Sequence, residues 1–158
     1  MRRRKLVLAT AMLGALMLGV TAFASSVHFK NTPPTFIDNG LTLTGLGALT
    51  GLGNQDIQVR LTATGFPTAW CINQGGNAAP GQNPATVTVA GSQNIPSTQI
   101  KNGNVAFNVT TGVPSLTWRQ AGCPSSNWNV RITDVRFTSA TISVVQGGAT
   151  VLSQTFPL

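Results

Sequence analysis

Glutamate and tyrosine are absent from this 158-residue chain; histidine occurs once, aspartate three times and cysteine twice. General acid–base catalysis needs paired titratable groups with separated pKa values, and only His28, Asp38, Asp56 and Asp134 are available to form such a pair. A Ser–His–Asp triad would have to recruit that single histidine, and Gly-x-Ser-x-Gly does not occur. Two thiols and one distant imidazole cannot complete a four-ligand zinc site. Three dispersed aspartates do not make the carboxylate cluster that calcium requires. No Gly-Lys-Ser/Thr phosphate loop is present, and Gly45-Leu-Gly47 lacks the third glycine of a dinucleotide fingerprint. No metal or cofactor is expected, and an enzyme is not the favoured class.

Charge is equally sparse. The formal net charge is +7, but Arg2, Arg3, Arg4 and Lys5 supply four of the positives. Residues 25–158 carry six basic residues against three acids, or +3. Those six (Lys30, Arg60, Lys101, Arg119, Arg131 and Arg136) are spread along the chain among few aromatics, so a nucleic-acid partner is not expected. No apolar run after residue 25 approaches the roughly 20 residues of a membrane-spanning helix, which excludes stable helical insertion of that part.

The basic block is followed by Leu6–Val20, almost wholly apolar, and then by Thr21-Ala22-Phe23-Ala24. These are the three regions of a secretory signal, with small residues Ala22 and Ala24 placed for cleavage before Ser25. The expected division is a signal peptide over residues 1–24 and one domain over residues 25–158, exported by the general secretion route. The alternative is an uncleaved anchor, for which the apolar run is short. Export places Cys71 and Cys123 in an oxidising compartment, where a pair is expected to close as a disulfide.

Period-two alternation recurs along residues 25–158 and helical periodicity does not. Ile57, Val59, Leu61 and Ala63 alternate with Gln58, Arg60, Thr62 and Thr64. Val105, Phe107 and Val109 repeat the pattern, as do Val130 and Ile132. The apolar parity then shifts to Val135 and Phe137, which predicts a bulge or strand crossing near Asp134. Further strands are expected at 35–38, 41–44, 69–74, 85–90, 116–119, 141–145 and 149–156. Turns are expected at Gly65-Phe66-Pro67, Gly75-Gly76-Asn77 and Gln146-Gly147-Gly148, among others. Short strands at near-regular spacing point to an all-β, two-layer antiparallel β-sandwich with one disulfide, most simply an immunoglobulin-like Greek key.

Trp70, Trp118 and Trp128 all lie close to the cysteines in sequence, so a Cys71–Cys123 bond would gather them at one end of the domain. Two roles are open to them. They can pack on the disulfide as core, or they can form an exposed platform beside Asn73 and Asn77 that stacks on and hydrogen-bonds a sugar.

Gly51-Leu52-Gly53-Asn54, then Cys71-Ile72-Asn73-Gln74-Gly75-Gly76 and a later Cys123-Pro124, form a recognisable set. The chain resembles small secreted proteins of bacteria and fungi that carry a Cys-x-Asn-x-Gly-Gly loop. That group has no assigned activity, so the resemblance implies export and a β domain over most of residues 41–157. The function expected from the sequence is a secreted, non-enzymatic structural or interaction protein acting outside the cell or at its surface. The alternative is a carbohydrate- or cell-wall-binding module using the tryptophans, and the partners in view are a polysaccharide or another extracellular protein.

Overall fold

A computed structural model describes residues 26–158, so the signal segment assigned to residues 1–24 lies outside the described residues. Nine strands follow in order: β1 (His28–Phe29), β2 (Thr35–Asp38), β3 (Leu43–Thr50), β4 (Ile57–Ile72) and β5 (Ala78–Pro80). The remainder are β6 (Val87–Ile95), β7 (Val105–Thr110), β8 (Asn129–Gln146) and β9 (Ala149–Pro157). In the first sheet, β3 carries β1 and β2 on one edge and β7 on the other. In the second, β4 carries β6 and then β5 along one edge and β8 along the other, with β9 beyond β8. All pairings are antiparallel.

The alternation that predicted strands also supplies the core. Leu43, Leu49, Phe107 and Val109 of the first sheet meet Val59, Leu61, Ile142 and Val144 of the second in one buried cluster. Each such side chain contributes about 1.5–3 kcal/mol by leaving water. Phe29, Phe36 and Phe156 close one side of the two layers, with ring centroids 5.7 Å apart for Phe29–Phe156 and 5.5 Å for Phe36–Phe156.

The predicted parity shift near Asp134 is a bulge. Thr68 pairs with Asp134 and Ala69 with Ile132, which leaves Thr133 unmatched. A second bulge, not foreseen, leaves out Thr138 between the Thr64–Ser139 and Gly65–Phe137 pairs. Both extra residues are threonines whose hydroxyls donate back to β4, Thr133 to the Thr68 carbonyl (3.4 Å) and Thr138 to the Thr64 carbonyl (3.2 Å). Each bulge moves the buried set by one residue, from Ile132 to Val135 and from Phe137 to Ala140. The strand stays continuous for 18 residues as a result, where two separate strands were expected.

Gly65-Phe66-Pro67 is not a turn but the middle of the 16-residue β4. Gly65 faces the Thr138 bulge so closely that a Cβ there would lie 2.6 Å from the Arg136 carbonyl oxygen. Pro67 is tolerated because β6 begins opposite Gly65 and β5 runs from opposite Ile72 to opposite Trp70, leaving that edge of β4 open between them. The Val135 N–H bonds the Gly40 carbonyl on the side away from β4. Pro67 and Val135 are therefore a non-hydrogen-bonded pair, and the missing N–H of Pro67 falls on the open edge.

The strand expected at Leu116–Arg119 is also corrected. Thr117 caps a single helical turn: its hydroxyl accepts the Gln120 N–H (3.4 Å), and the Gln120 side chain accepts the Thr117 N–H (2.9 Å). Gly122, at φ 70°, ends the turn, with the Cys123 N–H on the Trp118 carbonyl and the Gly122 N–H on the Arg119 carbonyl. The Gln146–Gly148 hairpin turn is as expected, with both glycines at positive φ.

Candidate functional site

Cys71, at the end of β4, and Cys123, delivered by the capped turn, form a disulfide with a Cα separation of 5.6 Å. Ala69, Cys71, Ala121 and Cys123 are buried together as a second, smaller core, against which Leu116, Trp118, Trp128 and Val130 pack. Trp118 and Trp128 thus both lie on the inner face of the second sheet, half-buried around the cross-link. The Arg119 guanidinium sits 5.0 Å from the Trp118 ring.

Trp70 is on the other face. Alternation along β4 buries Ala69 and Cys71 and turns Thr68 and Trp70 outward, and Trp70 remains 38% exposed. Phe66, on the same outer face, is 48% exposed. Four residues of strand set the Cα atoms of Phe66 and Trp70 about 13 Å apart. Directly across on β8, Arg136 is the register partner of Phe66 and Arg131 that of Trp70. The Arg136 guanidinium lies 5.2 Å from the Phe66 ring centroid. The three tryptophans therefore do not make one platform; the outer face instead holds two aromatic–arginine pairs.

Asn73 and Asn77 close the hairpin between β4 and β5. The Asn73 N–H bonds the Asn77 carbonyl at 3.0 Å, and the Asn73 side-chain oxygen accepts the Asn77 N–H at 2.9 Å. That oxygen is committed to holding the loop. The hairpin follows Ile72 directly, so it stands at the Trp70 end of the strip.

His28, Asp38 and Asp56 are engaged locally. Asp38 accepts the Gly40 N–H (2.8 Å) as a turn residue, and the His28 Nδ1 lies 2.6 Å from the Ser26 carbonyl. Asp56 accepts the Ser97 N–H at 2.7 Å and anchors the short turn at Ser97–Gln99. That backbone bond, with help from the Ser97 hydroxyl, holds the Asp56 carboxyl below its usual value. Among the described residues, no three His, Cys, Asp or Glu side chains converge as a metal site. A cavity of about 350 Å³ between β6 and the 112–116 segment is lined by Thr86, Thr88, Val113, Ser115, Leu116 and Gln120, without an acid, base or thiol.

No protein-family model matches the chain, and no curated protein matches it at a significant level. Phe66 is hidden in the sequence by Gly65-Phe66-Pro67, which reads locally as a turn, and Arg131 and Arg136 gain their place only through the register of β8 against β4. The signal was present: small or apolar residues hold the odd positions from Ile57 through Gly65 and Pro67 to Cys71, so the even ones must face outward together.

Proposed function

We propose that this is an exported, non-enzymatic interaction domain acting outside the cell or at its surface through the outer face of the second sheet. The observation that carries the reading is the exposed Phe66–Trp70 strip with Arg136 and Arg131 across from it. Large exposed aromatics flanked by arginine are the residue types that dominate binding surfaces. The disulfide supports export, since such bonds persist in oxidising compartments. An immunoglobulin-like Greek key is supported by the order of pairing. β3 pairs with β7 and β4 with β8, while β8–β9 is a hairpin and β6 flanks β4.

The test is binding of labelled protein to intact cells of its source, compared with a Phe66→Ser/Trp70→Ser variant whose far-ultraviolet dichroism matches the parent. Loss of binding in the variant is expected. Binding equal to the parent's would remove the outer face from the reading.

A polysaccharide is the partner favoured by one particular arrangement: an exposed indole at the foot of an amide-bearing hairpin. Indole rings stack on the C–H faces of sugars, and the Asn77 side chain and the Asn73 amide nitrogen offer hydrogen bonds beside them. Retention on insoluble glycans that disappears with Trp70→Ser supports this reading.

A further inference from the structure

We infer that the polysaccharide taken by this strip is anionic, a polymer of carboxylate-bearing sugars; the inference rests on the polysaccharide reading above and adds the charge of the polymer. Each aromatic ring has a guanidinium in the adjacent strand position, Arg136 across from Phe66 and Arg131 across from Trp70. Neighbouring strands are about 4.8 Å apart, so each pair combines an apolar plate with a cation within the dimensions of one sugar ring. A uronate presents a C–H face and, at the ring's edge, a carboxylate. The plate suits the first and a planar guanidinium suits the second, through paired N–H···O bonds. Two such units spaced about 13 Å along β4 match an extended chain better than a single residue.

The strip carries two cations against one acid, so its net sign is positive. That acid, Asp134, is exposed opposite Thr68 between the two aromatic–arginine pairs, with its Oδ1 3.5 Å from where a Cβ on Gly40 would sit in the turn between β2 and β3. Asp38 and Asp56 bond the N–H groups of Gly40 and Ser97. A neutral glycan would offer Arg131 and Arg136 only hydroxyl and ether oxygens, weaker and less directional partners for a guanidinium than a carboxylate. A polyanion without ring faces would leave Phe66 and Trp70 unused.

The experiment compares polygalacturonate with its fully methyl-esterified form, which keeps the sugar backbone and removes the charge. Binding is read by calorimetry on the disulfide-intact protein and on Arg131→Gln/Arg136→Gln and Phe66→Ser/Trp70→Ser variants shown folded by dichroism. Expected is binding to polygalacturonate that falls by about tenfold or more with the ester and in each variant, and that weakens as salt shortens the screening length. Equal affinity for the ester would overturn the anionic assignment and leave the polysaccharide reading standing. Loss in the arginine variant with none in the aromatic variant would reduce the effect to ionic adsorption and overturn the assignment as well. Absence of binding to both polymers, to cellulose and to chitin, while the aromatic variant still abolishes cell binding, would overturn the polysaccharide reading and the inference with it.

Discussion

The two halves of the long β4–β8 pair are built differently. From Ile57 to Gly65 the inner face meets the first sheet across an aliphatic core, and the outer face is polar, with Gln58 and Arg60 beside an array of hydroxyls. Its hydroxyls pair across strands, Thr141 with Thr155 at 2.8 Å, Ser143 with Ser153 at 3.2 Å and Thr64 with Thr88 at 3.3 Å. From Phe66 to Ile72 the inner face is covered around Cys71 by the capped turn and its disulfide, and the outer face carries Phe66 and Trp70. Trp70 stands over the cross-linked backing, and Phe66 at the boundary, where its partner Arg136 lies between Val135 and Phe137 of the layered core. The physical sense of this is preorganisation: a binding strip loses less on association when the strand beneath it cannot move.

The sharpest way to break the contrast is to remove the cross-link. The bond closes a sequence separation of 52 residues. For a loop of that size the chain-entropy argument gives roughly 4 kcal/mol, a large share of a domain's net stability. Cys71→Ser/Cys123→Ser should lower the denaturation midpoint accordingly. Hydrogen exchange should rise first at 116–130 and at the end of β4, with the Ile57–Gly65 half protected longer. Uniform loss of protection would mean that the halves are one cooperative unit. Leu61→Ala probes the other half: it empties a buried site between the sheets and is expected to cost about 3 kcal/mol. Its exchange signature should be global, because that core joins both sheets.

How legible these halves were in the sequence follows the same division. The layered half was read well, since strict alternation at Ile57–Thr64 and Val105–Val109 states both strand and face, and hairpin glycines at 147 and 148 state the turn. In the other half the disulfide was legible from the compartment, but the local signals conflicted. Gly65 and Pro67 read as a turn in isolation, and only a bulge on β8 and a gap between β6 and β5, both tertiary facts, make them strand residues. Thr117-Trp-Arg-Gln120-Ala-Gly122 is different, because its cap and stop signals are local and compete there with an apolar pattern that reads as strand. Gly51 and Gly53 also resolve into structure. Gly51 has φ 79°, and the Gly53 N–H and carbonyl are held at 3.0 Å by the buried Gln146 side chain. That part of the Gly51-Leu52-Gly53-Asn54 element is accounted for by folding alone.

A smaller test addresses how the capped turn holds its cysteine. Thr117→Ala removes the hydroxyl that accepts the Gln120 N–H and should cost about 1 kcal/mol. The loss should concentrate in the disulfide half, visible as greater acrylamide quenching of Trp118 and Trp128 with the bond still closed. Unchanged quenching would mean that the disulfide and Gly122 fix the turn without the cap.

The smallest expected effect lies in the layered half and concerns pH. The Ser97 N–H bond lowers the folded-state pKa of Asp56 from its ordinary 3.8. A depressed carboxylate pKa stabilises the fold above the unfolded-state value and loses that contribution as pH falls through the folded-state value. The window therefore lies below about pH 4, where the unfolded state binds the proton first. The group is exposed, so water screens much of the effect. Asp56→Asn should flatten the acid limb of the stability curve slightly and leave it unchanged at neutral pH, as measured by urea midpoints from pH 2 to 7. An acid limb identical to the parent's would show that the bond to Ser97 forms equally well in both protonation states.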